Sequence, residues 1–192
     1  MGRVILGAIL GVALAPVALW AWFSFGCPPV AVADKPLPME SLLNSALHVR
    51  VGREAAKAKT ALKPDEETLL AGARIYRDQC AACHGFHGKP SPFSAHMYPA
   101  APALWEKAAK GDAIGVSDNP PAEIFWKVNN GIRLTGMPSY HNVIPETQIW
   151  QVCLLLANAN KPLPAEAVMI VRGEQPPAPA PAPDAPQEQP KP

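Results

Sequence analysis

The chain has 192 residues, with 17 basic and 16 acidic side chains, five His and four Cys. That length suits one ordinary domain with extensions, and a net charge of +1 argues against a nucleic-acid binder, which would carry a basic stripe. Hydrophobic residues make up 48% and charged ones 17%, which excludes a wholly disordered chain, and four Cys do not make a disulfide-dense scaffold. The averages hide three different regions: eight of the 24 prolines fall in the last 20 residues, and much of the apolar count lies in the first 26.

Residues 1–33 read as a membrane anchor or a signal sequence. No charge occurs between Arg3 and Asp34, and Val4 to Phe25 is apolar apart from Ser24. As a helix this run would span about 33 Å, against a hydrocarbon core of about 30 Å. Trp20 and Trp22 suit an interfacial belt. Ala31-Val32-Ala33 is an Ala-x-Ala cleavage pattern, so a cleaved secretory signal is the alternative. The run exceeds the roughly 7–15 apolar residues of a signal core, which favours a retained anchor. Either reading exports the remainder of the chain. Cys27 follows a small residue, Gly26, as a lipidated Cys would, but Phe25 and Ser24 fit that pattern poorly, so an interfacial thiol is expected.

Residues 34–64 form a linker. Lys35-Pro36-Leu37-Pro38 precedes an amphipathic stretch in which Ser41 suits an N-cap and Leu42, Leu43, Ala46 and Leu47 share a face. Arg50, Arg53, Lys57, Lys59 and Lys63 then make a basic run that suits either anionic headgroups or a solvated face.

Residues 65–160 form the compact part. Pro64-Asp65-Glu66-Glu67 opens a helix running through Leu69, Leu70, Ala73, Ile75 and Tyr76 to Cys80. A Pro/Gly-rich loop follows from Gly85 to Ala103. Helices are expected from Pro121 to Asn130, with Ile124, Phe125 and Val128 on one face, and from Pro145 to Asn158, through Ile149, Trp150, Val152, Cys153 and Leu156. No run alternates with period two, so the domain is all-α. Loops this long in a small domain suggest that something besides side chains fills the core. Residues 161–192 read as a Pro/Ala-rich disordered tail, nearly all Pro, Ala, Gln and Glu from Gly173 onward, serving as a passive extension or as a spacer or ligand.

Cys80-Ala81-Ala82-Cys83-His84 is C-x-x-C-H, the attachment pattern of haem c. Two Cys three positions apart lie on one face of a helical turn, so both sulfurs reach the porphyrin's vinyl groups and the adjacent His projects over the iron. A thioredoxin-like pair would need a preceding strand and a βαβ unit. A zinc site would need two more ligands at matching spacing, and Cys153 and the scattered His do not supply them. One motif implies one covalently attached haem c.

Gly72-x-x-x-Tyr76-x-x-x-Cys80-x-x-Cys83-His84-Gly85, then Gly136-Met137-Pro138, then Ile149-Trp150-Gln151-Val152, resembles a class I cytochrome c domain over about half the chain. The resemblance implies three to five helices around one haem with one edge exposed. Its first and last helices would cross where Gly72 and Tyr76 meet Trp150 and Leu154. It implies Met137 as the iron's sixth ligand opposite His84, with His87, His96, His141 and Met97 as rivals, of which His141 is the most serious. It points to Pro102, or alternatively Pro99, as the carbonyl that orients His84, and to Leu104 as a residue packed on the haem. Asn130-Gly131-Ile132 resembles the approach to the methionine loop. Trp105 and Trp126 suit either the haem surroundings or the core, and Cys153 a small buried hydrophobe.

The function so implied is one-electron transfer, without a catalytic residue or small-molecule substrate. The chain is expected to be a monohaem cytochrome c anchored through its N-terminal helix in a bacterial inner membrane, its haem domain facing the periplasm between a redox protein donor and acceptor. The alternative is a haem c subunit fixed to a dehydrogenase or terminal oxidase complex. A haem catalyst or gas sensor would need an open sixth position, against which Met137 counts.

Overall fold

The structure is a computed structural model that describes residues 1–26, 31–32, 34–35, 37, 39–108 and 111–175, without the side chains of residues 41 and 43–48. The expectations for Cys27, Ala33, the Ser41 cap and the tail from 176 onward therefore lie outside the described residues. The chain divides into two compact units, Met1–Ala46 and Leu47–Pro192.

In the first unit, α1 (Gly2–Phe25) is one continuous 24-residue helix, through Pro16, with no buried residue. It has a mean hydropathy of 2.4 and is long and apolar enough to cross a membrane. A stretch with no polar face is at rest only where apolar surroundings cover all its sides. A second helix, α2 (Glu40–Ala55), starts at Glu40, whose carboxylate accepts the Leu37 N–H at 2.9 Å.

The second unit is helical, and among its described residues no strand forms. Two isolated bridges pair Phe86 with Lys89 and Lys107 with Ile114. Asp65 caps α3 (Glu66–Ile75) by accepting the Thr68 N–H at 2.9 Å, which together with that side chain's hydroxyl holds the Asp65 carboxyl below its ordinary range. The chain then widens into a π turn, Tyr76–Cys80, before tightening into α4 (Ala81–His84). A 3₁₀ turn follows at Ser94–His96. Next come α5 (Pro121–Asn130), whose ends are as the sequence predicts, and α6 (Glu146–Ala157). Pro at the first position of α5 and Gly131 just past its end, with φ 67°, make those boundaries sharp.

The core lies between α3, α5 and α6. Leu69, Ala73, Ile124, Val128, Ile149, Val152, Cys153 and Leu155 are buried there, and each large aliphatic side chain contributes about 1.5–3 kcal/mol relative to exposure. α3 crosses α6 at Gly72, where an added Cβ would fall 2.8 Å from the Gln151 carbonyl carbon and 3.1 Å from Leu155 Cβ. The expected crossing holds but its partners differ by one position. Gly72 meets Gln151 and Leu155, whereas the Trp150 ring stacks on Phe125 of α5, centroids 4.1 Å apart. Tyr76 meets Trp105 edge-on at 5.5 Å instead.

The Pro-rich tail starts later than residue 161. Pro164 opens a further helix, α7 (Ala165–Val171), which buries Ala167, Ile170 and Val171 against α3. The Arg74 guanidinium donates to Glu166 at 3.0 Å, and beyond α7's last turn the Arg172 carbonyl accepts from Lys89 Nζ at 2.9 Å. Three buried apolar side chains in a seven-residue helix suffice once a neighbour supplies the other half of the contact.

Gly72→Ala drives a methyl into the Gln151 backbone, which has no rotamer to yield. It should lower stability by about 1–3 kcal/mol, read as a drop in the guanidinium midpoint of the mature protein.

Candidate functional site

The C-x-x-C-H motif straddles the end of the π turn and α4. Cys80 and Cys83 are half-buried, and Cys80 packs at the edge of the core. Behind them the buried Tyr76 hydroxyl donates to the Gly85 carbonyl at 2.6 Å. Gly85 has φ 75°, and a Cβ there would fall 2.8 Å from Ser91 N, so glycine is what lets the chain leave His84 and turn back. Burial first, and Cys83 second, push the Cys80 thiol up to about 12. Burial likewise pushes Cys153 up. Burial thus favours the neutral S–H form of Cys80 and Cys153.

The imidazole of His84 is fixed from behind. Its Nδ1 lies 2.7 Å from the Pro102 carbonyl oxygen. A carbonyl only accepts, so Nδ1 carries the proton and Nε2 keeps its lone pair. Burial lowers the His84 pKa, and the bond to Pro102 opposes this. The carbonyl is that of Pro102 and not Pro99. Leu104 and Trp105, just beyond it, are 7% and 4% exposed and belong to the core. His87 makes the parallel contact one step on, its Nδ1 2.9 Å from the Trp105 carbonyl. Together the two imidazoles hold 102–105 against the attachment turn.

Met137 is half-buried against the core. Its loop is held at close quarters: a Cβ on Gly131 would fall 2.7 Å from Ser139 N and 2.9 Å from the Met137 carbonyl oxygen. Thr135 Oγ1 donates to the Ile132 carbonyl at 2.7 Å and accepts the Met137 N–H at 3.1 Å. Leu134 takes the left-handed region at φ 62° to make that turn. Of the rivals, Met97 has its methyl lying against Gly136. His96 is exposed in its 3₁₀ turn. His141 is exposed beside an open cavity of about 390 Å³ that Asn129, Asn142 and Ile149 also line, and its backbone N–H is tied to Asn129.

Tyr140 belongs to no motif in the sequence, yet it joins the site. It sits three residues after Met137, and its hydroxyl donates to the Gln79 carbonyl at 2.7 Å. Burial first, then Cys80 and Cys83, raise its phenol. Trp126 is half-buried on α5, with its carbonyl accepting from the Asn130 amide.

Two thiols on one turn suit thioether attachment to the porphyrin, and an imidazole with its Nδ1 already committed and a thioether in a braced loop are the N and S donors that would suit a haem iron. Residues 67–154, rather under half of the chain, match the family model described as cytochrome c oxidase, cbb3-type, subunit III. The chain carries a c-type cytochrome domain. A similar solved structure is the reducing HAO-like protein complex of Kuenenia stuttgartiensis. It is 20% identical with a TM-score of 0.40, and the match covers 72% of this chain and 54% of that one, so this chain spans about half the length of that structure's chain. No curated protein matches the chain in sequence. The cytochrome domain implies covalently bound haem c with iron, and the C-x-x-C spacing of Cys80 and Cys83 suits its attachment.

Cys80→Ser should leave the haem on a single thioether, and the α-band of its reduced pyridine adduct should move to longer wavelength as one vinyl group stays unsaturated. Cys153→Ala should leave that band where it is.

Proposed function

We propose that this cytochrome is a membrane-anchored electron carrier that passes single electrons between respiratory partners, with its haem domain on the periplasmic side of a bacterial inner membrane. The observation that carries this reading is the His84–Pro102 hydrogen bond at 2.7 Å. It orients the ring and raises its basicity, leaving Nε2 as the fifth ligand. Met137 would be the sixth, its loop backbone braced by Gly131 and Thr135. Bound haem c supplies an iron that alternates between ferric and ferrous. A thioether at the sixth position favours the ferrous form and raises the potential. Apolar neighbours such as Leu104 and neutral thioethers act in the same direction, because they solvate the extra charge of ferric iron poorly. With both positions taken there is no room for a substrate, which is why we read the chain as a carrier and not an enzyme. α1 would confine it beside its partners.

A fixed subunit is the second reading, favoured by the family model's description as part of an oxidase. Co-purification in mild detergent as a stable complex would select it over the free carrier.

Visible spectra of the full-length chain, matured in a periplasm and held in detergent, test the ligand set. Wild type should be low-spin, show the ferric Met–iron charge-transfer band and ignore carbon monoxide. Met137→Ala should lose that band, bind carbon monoxide when reduced and show a lower potential. Ready binding by wild type would overturn the reading.

A further inference from the structure

One hydrogen bond joins the two halves of the site, and nothing in the electron-carrier reading requires it. Tyr140 Oη donates to the Gln79 carbonyl at 2.7 Å across 61 residues of chain. Gln79 immediately precedes Cys80 within the π turn, and Tyr140 lies three residues past Met137.

Tyr140 is itself held from the loop side. Its N–H donates to the Val128 carbonyl at 3.1 Å, and the His141 N–H to Asn129 at 3.0 Å. The Ser139 hydroxyl donates to the same Asn129 carbonyl at 2.7 Å. Residues 139–141 thus run along the last turn of α5, itself packed on α6, and the Tyr140 ring is half-buried against the core. The residue has one rigid support on each side. A ring spanning two rigid supports has few rotamers to lose, so its terminal hydrogen bond forms at low entropic cost.

We propose that Tyr140 is a positioning residue for the axial thioether: its hydroxyl latches the Met137 loop to the π turn that ends in the first attachment cysteine, Cys80. This rests on Met137 being the sixth ligand. Once both cysteines are bonded to the porphyrin, the π turn is a fixed point relative to the iron. A loop tied to that turn is held at a set distance from the iron as well, and the latch resists the outward movement that would take the Met137 sulfur off the metal. The hydrogen bond therefore acts on the equilibrium between Met-on and Met-off, beyond any part in global stability.

Imidazole competes with the thioether for ferric iron, so its apparent affinity reads that equilibrium. Full-length ferric wild type, Tyr140→Phe and Glu166→Gln are titrated with imidazole while the Met–iron charge-transfer band is followed, and their guanidinium midpoints are measured alongside. Phe keeps the ring and its core contact and removes only the donor. Tyr140→Phe should bind imidazole about two- to tenfold more tightly, the range expected for one net hydrogen bond. Glu166→Gln, which weakens the α7–α3 ion pair instead, should shift the midpoint without altering imidazole affinity. Wild-type affinity in Tyr140→Phe, with the band intact in wild type, overturns the latch alone. A wild type with no Met–iron band overturns the ligation reading and the latch with it.

Discussion

The structure depends on a constraint of five consecutive residues. Two thiols and an imidazole leave the chain within Cys80–His84, on a single turn, so a haem bonded there is fixed in position and tilt by local geometry before any long-range contact forms. The rest of the domain closes around that turn. α3 approaches it from one side, pressed onto α6 at Gly72. The Pro102 carbonyl backs the imidazole, and the Met137 loop is drawn in over Gly131. Each of these is a backbone approach that a side chain would block or a carbonyl placed to accept one particular donor.

How much was legible in the sequence depends on the range of the physics involved. Attachment chemistry is local, and C-x-x-C-H announces it. The ends of α5 are local too, set by Pro121 and Gly131. The approach of Pro102 to His84 could be read only through a family resemblance, since the chain over their separation of 18 positions carries no periodic signal. The π turn at Tyr76–Cys80 was invisible, because a widened turn keeps nearly the same apolar pattern as an α-helix and differs only in which carbonyl each N–H finds. The one-residue offset at Gly72 has the same origin: spacing tells which face is buried but not which backbone atom it touches. α7 was missed because seven residues are too few to show a period beside a proline-rich stretch, and its stability is borrowed from α3. Tyr140 was missed because its acceptor is 61 residues away.

The site is also electrically quiet. The ion pairs Arg77 with Asp78 and Lys127 with Glu123 are internally neutral. The buried Cys153 and Tyr76 and the half-buried Cys80 and Tyr140 are all pushed toward their neutral forms, with burial the largest cause. Neutral neighbours add no fixed charge to a site whose own charge would change by one unit.

The position of α7 has a consequence for the order in which the molecule is completed. The turn just past the attachment motif is pinned from the far end of the domain, with the His87 N–H on the Val171 carbonyl at 2.9 Å and Gly173 against the Phe86 ring. A chain synthesised from its N-terminus presents Cys80–His84 long before those last clasps exist. Through that interval the thiols stand on an unfinished fold, open to whatever delivers the porphyrin, and the covering segments arrive in sequence: 102–105, then 137–141, then 165–173. The attachment turn is thus closed over by segments that all lie C-terminal to it.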